Sequence, residues 1–120
     1  MSLTIEQVAQ VAHEANRAFC ATLGDLSQVP WSEAPDWQKT SALHNAEYHL
    51  ANPGDAVDAS HSHVVWMKDK LDAGWKWGPV KKPELLEHPD LVPFDQLSLS
   101  AQAKDVLFRS VVLSLAPLVG

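Results

Sequence analysis

Residues 4–24 read TIEQVAQVAHEANRAFCATLG, and the spacing of their apolar side chains is the clearest structural signal in the chain. Apolar residues recur every three or four positions, which is the repeat of an α-helix with one buried side. They are Ile5, Val8, Ala12, Ala15, Phe19 and Leu23. Gly24 follows, in the position where glycine commonly ends a helix. The sequence therefore predicts a first helix from residue 4 to residue 23, with His13, Arg17 and Cys20 on its other side.

The second predicted helix differs on its two sides. It begins at Pro35, a residue favoured in the first turn of helices, and ends at the Asn-Pro-Gly of residues 52–54. One side is aliphatic, with Leu43, Ala46 and Leu50; the other is aromatic and polar, with Trp37, Ser41, His44 and Tyr48. Such a helix either lies sandwiched inside the core or packs through one side and lines a cavity with the other.

Two further helices and a short extended segment complete the predicted fold. The third helix begins near Asp58 or Ser60, ends at Gly74 and is predicted to bury an apolar centre of Val64, Met67 and Leu71. The alternation in residues 75–77, WKW, predicts an extended segment or half of a small hairpin. The fourth helix begins near residue 98 or 100 and buries Phe108, Val111, Val112 and Leu115. The prediction is a mainly α, small single domain over residues 1–120 with about four helices and a short extended or hairpin segment before the last helix.

Composition and charge limit the classes of function. The chain has 120 residues, the usual size of one domain, and 46% of them are hydrophobic, which is typical of a globular protein. Nine basic and fifteen acidic side chains give a net charge of −6, which argues against binding to a nucleic acid polymer. Between Lys68 and Lys82, however, five lysines stand against two aspartates. This basic segment is either a solvated turn or a site that favours a small anionic ligand.

The sequence also predicts a cytoplasmic protein without a membrane segment. Its single cysteine, Cys20, has no partner for an internal disulfide, which fits a reducing compartment. The polar, acidic N-terminus does not resemble a signal peptide. The apolar tract of residues 106–119 contains Arg109 and Pro117 and is too short to span a bilayer.

The known signatures of catalysis are missing from the sequence. It contains no phosphate loop, no dinucleotide fingerprint, no nucleophile elbow and no zinc-protease histidine pair. His44 and His49 are five residues apart and so fall on different sides of a helix, while His61 and His63 would need distant residues to complete a metal site. We therefore predict that the protein is not an enzyme and has neither a cofactor nor a metal site.

Tryptophan is the unusual component, with five in 120 residues. Core packing accounts for some of them, but aromatic faces beside lysines also suit a flat anionic ligand such as a nucleotide. We predict a pocket between the first two helices and residues 75–88. Its aromatic walls would be Trp31, Trp37 and Trp77; its cations Arg17 and Lys81; its hydrogen-bonding side chains Asn16 and His88; and His63 is included among its ligand-binding residues.

Three motifs occur in a fixed order between residues 63 and 97. They are HVVWMKDK at residues 63–70, GWKWG at 74–78 and HPDLVPFDQL at 88–97. In this order and spacing they resemble the ryanodine receptor repeat (RyR) domain, over about residues 60–110. The earlier part, including residues 13–17 and 25–37, is similar to free-standing bacterial and phage members. The motif residues could serve a site or only the fold.

The resemblance implies a cytosolic module without channel or catalytic machinery. Prokaryotic relatives are similar to predicted sensors of nucleotide-derived signals, which agrees with the pocket prediction. In the receptors these domains come in pairs, so a protein-interaction or homodimerisation domain is the alternative. An accessory enzyme subunit or a degraded enzyme is the third hypothesis. A concave site with convergent polar groups would favour ligand binding, and a flat exposed apolar patch would favour the interaction domain.

Overall fold

Helix α1 (Ile5–Thr22) begins with a capping box in the structure, a computed structural model that describes residues 2–54 and 60–120. The hydroxyl of Thr4 accepts a hydrogen bond from the Gln7 backbone N–H at 3.1 Å, and the Gln7 side-chain oxygen accepts one from the Thr4 N–H at 2.9 Å. Gly24 follows the helix with a φ of +88°, a left-handed conformation that favours glycine. The predicted first helix is confirmed.

The other three predicted helices are also present. They are α2 (Asp36–Ala51), α3 (Ser60–Asp72) and α4 (Leu99–Leu115). The Ser98 hydroxyl caps α4 by accepting a hydrogen bond from the Ala101 N–H at 3.2 Å. Asp58, the other predicted start of the third helix, lies outside the described residues. Among residues 2–54 and 60–120, no helix has both the length and the apolar character that crossing a bilayer requires.

Two short strands lie between α3 and α4. Strands β1 (Lys76–Trp77) and β2 (Glu87–His88) pair in parallel, with Lys76 opposite Glu87 and Trp77 opposite His88. The extended segment is thus confirmed. It is not half of a hairpin, because the paired strands run in the same direction and residues 78–86 pass between them.

The aliphatic core lies where α1, α2 and α4 meet. Its buried members are Val8, Ala9, Ala12, Trp31, Ala46 and Val112. The predicted aliphatic side of α2 and the predicted stripe of α4 pack against it through Leu43, Leu50, Phe108, Val111 and Leu115. The periodicity of these helices therefore gives the correct buried sides.

Helix α3 is oriented differently from the prediction. Val64 and Leu71, expected in its buried centre, are 61% and 53% exposed. The buried residues are instead Ser62, His63 and Lys70. The reason is that α3 packs on α2 and α4 beside a cavity. The side of α3 that faces the cavity carries polar residues, which interact with other residues of the cavity wall. Helix α1 behaves similarly, since His13 and Cys20, on the side opposite the apolar stripe, are also buried.

Candidate functional site

A cavity of about 320 Å³ lies between the four helices and the β1–β2 segment. This volume is at the lower end of the range of small-molecule sites. Helix α2 contributes Trp37, Ser41 and Asn45, so it packs through its aliphatic side and lines a cavity with the other. Other lining residues are His63, Trp66 and Lys70 from α3, Ala101, Lys104 and Asp105 from α4, and Trp75, Lys81 and His88 from the segment between them.

Lys70 is a buried cation held between two indole rings. Its Nζ lies 3.9 Å from the centre of the Trp37 ring and 4.2 Å from that of Trp75. The residue is only 8% exposed, and none of the ion pairs among the described residues involves it. Burial, together with the nearby charge of Lys81, lowers the pKa of Lys70 to about 8. The ammonium is therefore largely charged at pH 7, and among the described residues the two aromatic faces stabilise it.

Two more lysines, Lys81 and Lys104, line the same cavity without a carboxylate partner within ion-pair distance among the described residues. Two lysines outside the cavity are paired: Lys68 with Asp72 at 3.0 Å and Lys76 with Glu87 at 3.9 Å. The charges of the three cavity lysines all act on one imidazole, that of His88. Burial and the charges of Lys81, Lys70 and Lys104 together lower the pKa of His88 to about 4, against the opposing effect of Asp90.

The cavity also contains two carboxyl groups, of Asp90 and Asp105. Burial raises the pKa of Asp105 to about 7, with a further contribution from the charge of Asp90 and an opposing one from Lys104. The Asp105 carboxyl lies 3.7 Å from Nδ1 of His63, whose Nε2 donates a hydrogen bond to the Val92 carbonyl at 2.6 Å. Three lysines face these two carboxyl groups, so positive charge exceeds negative charge in the cavity, and the excess grows when Asp105 carries its proton.

Uncharged polar groups come from α1, α2, the loop between them and Ser62 of α3. The side-chain oxygen of Asn16 is buried and has no hydrogen-bond partner among the described residues. The Gln38 side chain donates a weak hydrogen bond to that of Gln28 at 3.4 Å, and the Ser62 hydroxyl donates to Asn45 at 3.2 Å. The cavity thus combines lysines with amides and hydroxyls, and α3 supplies both Lys70 and the hydroxyl of Ser62.

The sequence motifs meet at this cavity. His63 stacks on Trp66 with ring centres 5.4 Å apart, and Trp66 meets His88 edge-on at 4.9 Å. A side chain at Gly78 would place its Cβ 2.7 Å from the Cβ of Glu87, so the close approach of the two strand segments needs glycine there. A family model for the RyR domain matches residues 48–116. The chain belongs to the RyR domain family. In this RyR domain the matched range covers most of the cavity, while Asn16 and Trp37 come from the part of the chain before it.

Five of the eight site residues predicted from the sequence line the cavity of the RyR domain: Asn16, Trp37, His63, Lys81 and His88. The other three lie elsewhere. Trp31 is 6% exposed in the core, where its backbone N–H donates to Glu14 at 2.9 Å. Arg17 forms an ion pair with the same Glu14 at 3.1 Å. Trp77 lies on the surface and is 56% exposed. The indole rings at the cavity are therefore those of Trp37, Trp66 and Trp75, and not those of Trp31 and Trp77.

Sequence reasoning missed Lys70, Trp75, Lys104 and Asp105 as cavity residues. A signal existed for Lys70, because it follows His63 by seven residues and therefore shares a helix side with it. Lys104 and Asp105 carry no such signal, since charged residues near the start of a helix are usually solvated. Within residues 2–54 and 60–120, no three histidine, cysteine, aspartate or glutamate side chains are grouped as metal ligands.

Proposed function

We propose that this RyR domain is a non-catalytic recognition module that binds a small anionic metabolite, with a nucleotide or nucleotide-derived signal as the ligand class. The observation that carries the proposal is Lys70, a buried ammonium at the cavity wall that has no counter-ion within residues 2–54 and 60–120. Burying an unpaired charge costs several kcal/mol. An anion bound in the cavity would offset this cost.

The rest of the cavity supports the same ligand class. Lys81 and Lys104 add positive charge that no described carboxylate pairs with, and the indole rings of Trp37, Trp66 and Trp75 offer apolar surface beside it. A ligand with a flat apolar part and an anionic group satisfies both. The net charge of −6 and the small volume of the cavity argue against a nucleic acid polymer. We further propose a cytoplasmic location and a free-standing bacterial or phage origin, without a cofactor.

A thermal-shift screen against nucleotides, cyclic dinucleotides, NAD and ADP-ribose tests the proposal. A ligand that binds only the folded protein at about 100 times its Kd adds roughly 2.7 kcal/mol to the free energy of unfolding, which raises Tm by several degrees. We expect Lys70→Met to abolish this shift, because methionine keeps the apolar contact with both indole rings but removes the charge.

Lys68→Met is the matched control for this screen. Lys68 lies on the same helix, but its side chain is 75% exposed and paired with Asp72 outside the cavity. It should retain the full shift, and unliganded melting curves establish that both variants fold. A screen without any hit, or equal losses in both variants, would contradict the proposal.

A protein-interaction or homodimerisation domain is the second candidate. It is favoured by apolar side chains exposed on and after β1. They are Trp77, Val80, Leu85 and Leu86, which are 56%, 58%, 54% and 39% exposed. Exposed apolar residues grouped in this way are typical of contact surfaces. Sedimentation equilibrium checks this candidate, since a dimer that Trp77→Ser dissociates would support it and a monomer at all concentrations would contradict it.

A further inference from the structure

We propose that the cavity selects a ligand with a terminal phosphate monoester, a dianion near neutral pH, over the corresponding phosphodiester, and that Asp105 is the residue that sets this preference. The proposal deepens the anion-binding function proposed above and rests on it. It specifies the charge of the ligand. It also gives the buried carboxyl group of Asp105 a role in ligand selectivity.

The first argument is the balance of charge in the cavity. Lys70, Lys81 and Lys104 supply three positive charges, none of them in an ion pair among the described residues. Asp90 supplies one negative charge, and Asp105 is neutral when it carries its proton. Two positive charges are then in excess. A dianion neutralises both of them, whereas a monoanion leaves one ammonium uncompensated.

The chemistry of the cations points to phosphate. Lysine ammonium groups are compact charges that can approach a phosphate from several directions, while a planar carboxylate is matched better by arginine. A phosphate monoester has its second pKa near 6 and therefore carries close to two charges at pH 7. A phosphodiester lacks that second ionisation and keeps a single charge.

The second argument is the position of Asp105 among the charged groups. It faces His63 on α3 at 3.7 Å, Lys104 precedes it on α4, and Asp90 contributes from the segment after β2. Lys70, Lys81 and His88 line the same cavity. As a neutral acid, Asp105 can donate a hydrogen bond to a phosphate oxygen; as a carboxylate, it repels the phosphate. Binding of a dianion therefore favours protonated Asp105, and one proton is taken up with the ligand.

The experiment compares two ligand pairs that differ in charge. Adenosine 5′-monophosphate and its phosphate methyl ester share the base and the ribose, and inorganic phosphate and dimethyl phosphate test the preference without a base. We expect each dianion to bind about tenfold or more tightly than its monoanion, the effect of one charge-assisted interaction. Calorimetry at pH 7.5 in two buffers of different ionisation heat should show proton uptake with adenosine 5′-monophosphate.

Asp105→Asn isolates the role of the carboxyl group. Because asparagine stays neutral, the variant should bind adenosine 5′-monophosphate more tightly than wild type at pH 8, and the proton uptake should be lost. Asp72→Asn is the control, since Asp72 is exposed and paired with Lys68 away from the cavity. It should behave as wild type in both measurements.

The outcomes separate this proposal from the one on which it rests. Equal affinities within each pair, or unchanged proton uptake in Asp105→Asn, would overturn the selectivity and leave anion binding in place. If no phosphate probe binds but the thermal-shift screen finds another ligand, the phosphate preference is again overturned. If the thermal-shift screen also finds no ligand, both proposals are wrong.

Discussion

Arg109 and Lys70 are both buried cations, each 8% exposed, but their surroundings differ. Arg109 donates hydrogen bonds to Nδ1 of His49 at 2.9 Å and to the backbone carbonyls of Asn52 and Gly54, both at 3.2 Å. These carbonyls follow α2, where backbone acceptors lack helical partners. Arg109 therefore serves the fold by joining α4 to the end of α2, whereas the described side chains that contact the Lys70 ammonium are two indole rings.

The structural role of Arg109 gives a prediction for stability. Arg109→Met should lower the free energy of unfolding by about 3 kcal/mol, because it leaves the buried His49 nitrogen and two part-buried carbonyls without a donor. Urea unfolding followed by circular dichroism measures this loss, with Lys68→Met as the exposed control. Thermal-shift hits should survive in Arg109→Met wherever the variant remains folded. An unchanged urea midpoint would contradict the structural role.

At the scale of the elements, α3 shows what hydrophobic periodicity can and cannot predict. The pattern gives the extent of the helix, but it assigns Val64 and Leu71 to the inside, and both are exposed. Periodicity assumes that the buried side is apolar, which holds where a helix faces an aliphatic core. Helix α3 faces a cavity whose wall contains aromatic rings and a backbone carbonyl group. It therefore buries Lys70 against the rings and His63 against the carbonyl.

The β1–β2 pair is the element that brings His88 to the cavity, and its close approach depends on Gly78. A Cβ at this position would lie 2.7 Å from Glu87 Cβ and 3.0 Å from its carboxyl carbon. Gly78→Ala should therefore force the strands apart and cost about 1–3 kcal/mol, the usual range for overpacking. Gly54→Ala is the matched control, because a Cβ there meets nothing within 4 Å. Thermal unfolding compares the two, and equal melting temperatures would contradict the close packing of the strands.

At the scale of the whole molecule, the cavity collects positive charge inside an acidic protein. Its lining comes from all four helices and the strand segment, so its composition depends on packing over long sequence separations. The sequence predicts an aromatic and basic site, but it cannot distinguish which tryptophan of residues 75–77 turns inward. Trp75 lines the cavity and Trp77 does not. The sequence could not predict this difference, because the two tryptophans lie in one short segment and have equivalent local patterns.

The buried titratable groups make the stability of the molecule depend on pH in opposing ways. Burial lowers the pKa of both His49 and His88 to about 4. The positive charge of Arg109 is a second cause at His49. Below about pH 6.5 the unfolded chain protonates both histidines and the folded chain does not, so both make stability rise with pH between about 4 and 6.5. Asp105 has the opposite effect, because its pKa of about 7 keeps it protonated in the folded chain while the unfolded chain has lost that proton.

Between pH 4.5 and 6 the unfolded chain thus binds two histidine protons more and one aspartate proton fewer than the folded chain. The free energy of unfolding should rise by about 1.4 kcal/mol per pH unit, the value for one net proton. Asp105→Asn removes the opposing group, so its slope should be about twice as steep, whereas Asp72→Asn should follow wild type. Urea titrations at four pH values in this range measure both slopes. Parallel lines for wild type and Asp105→Asn would mean that Asp105 titrates normally in the fold, and the proton-linked selectivity of the cavity would lose its physical basis.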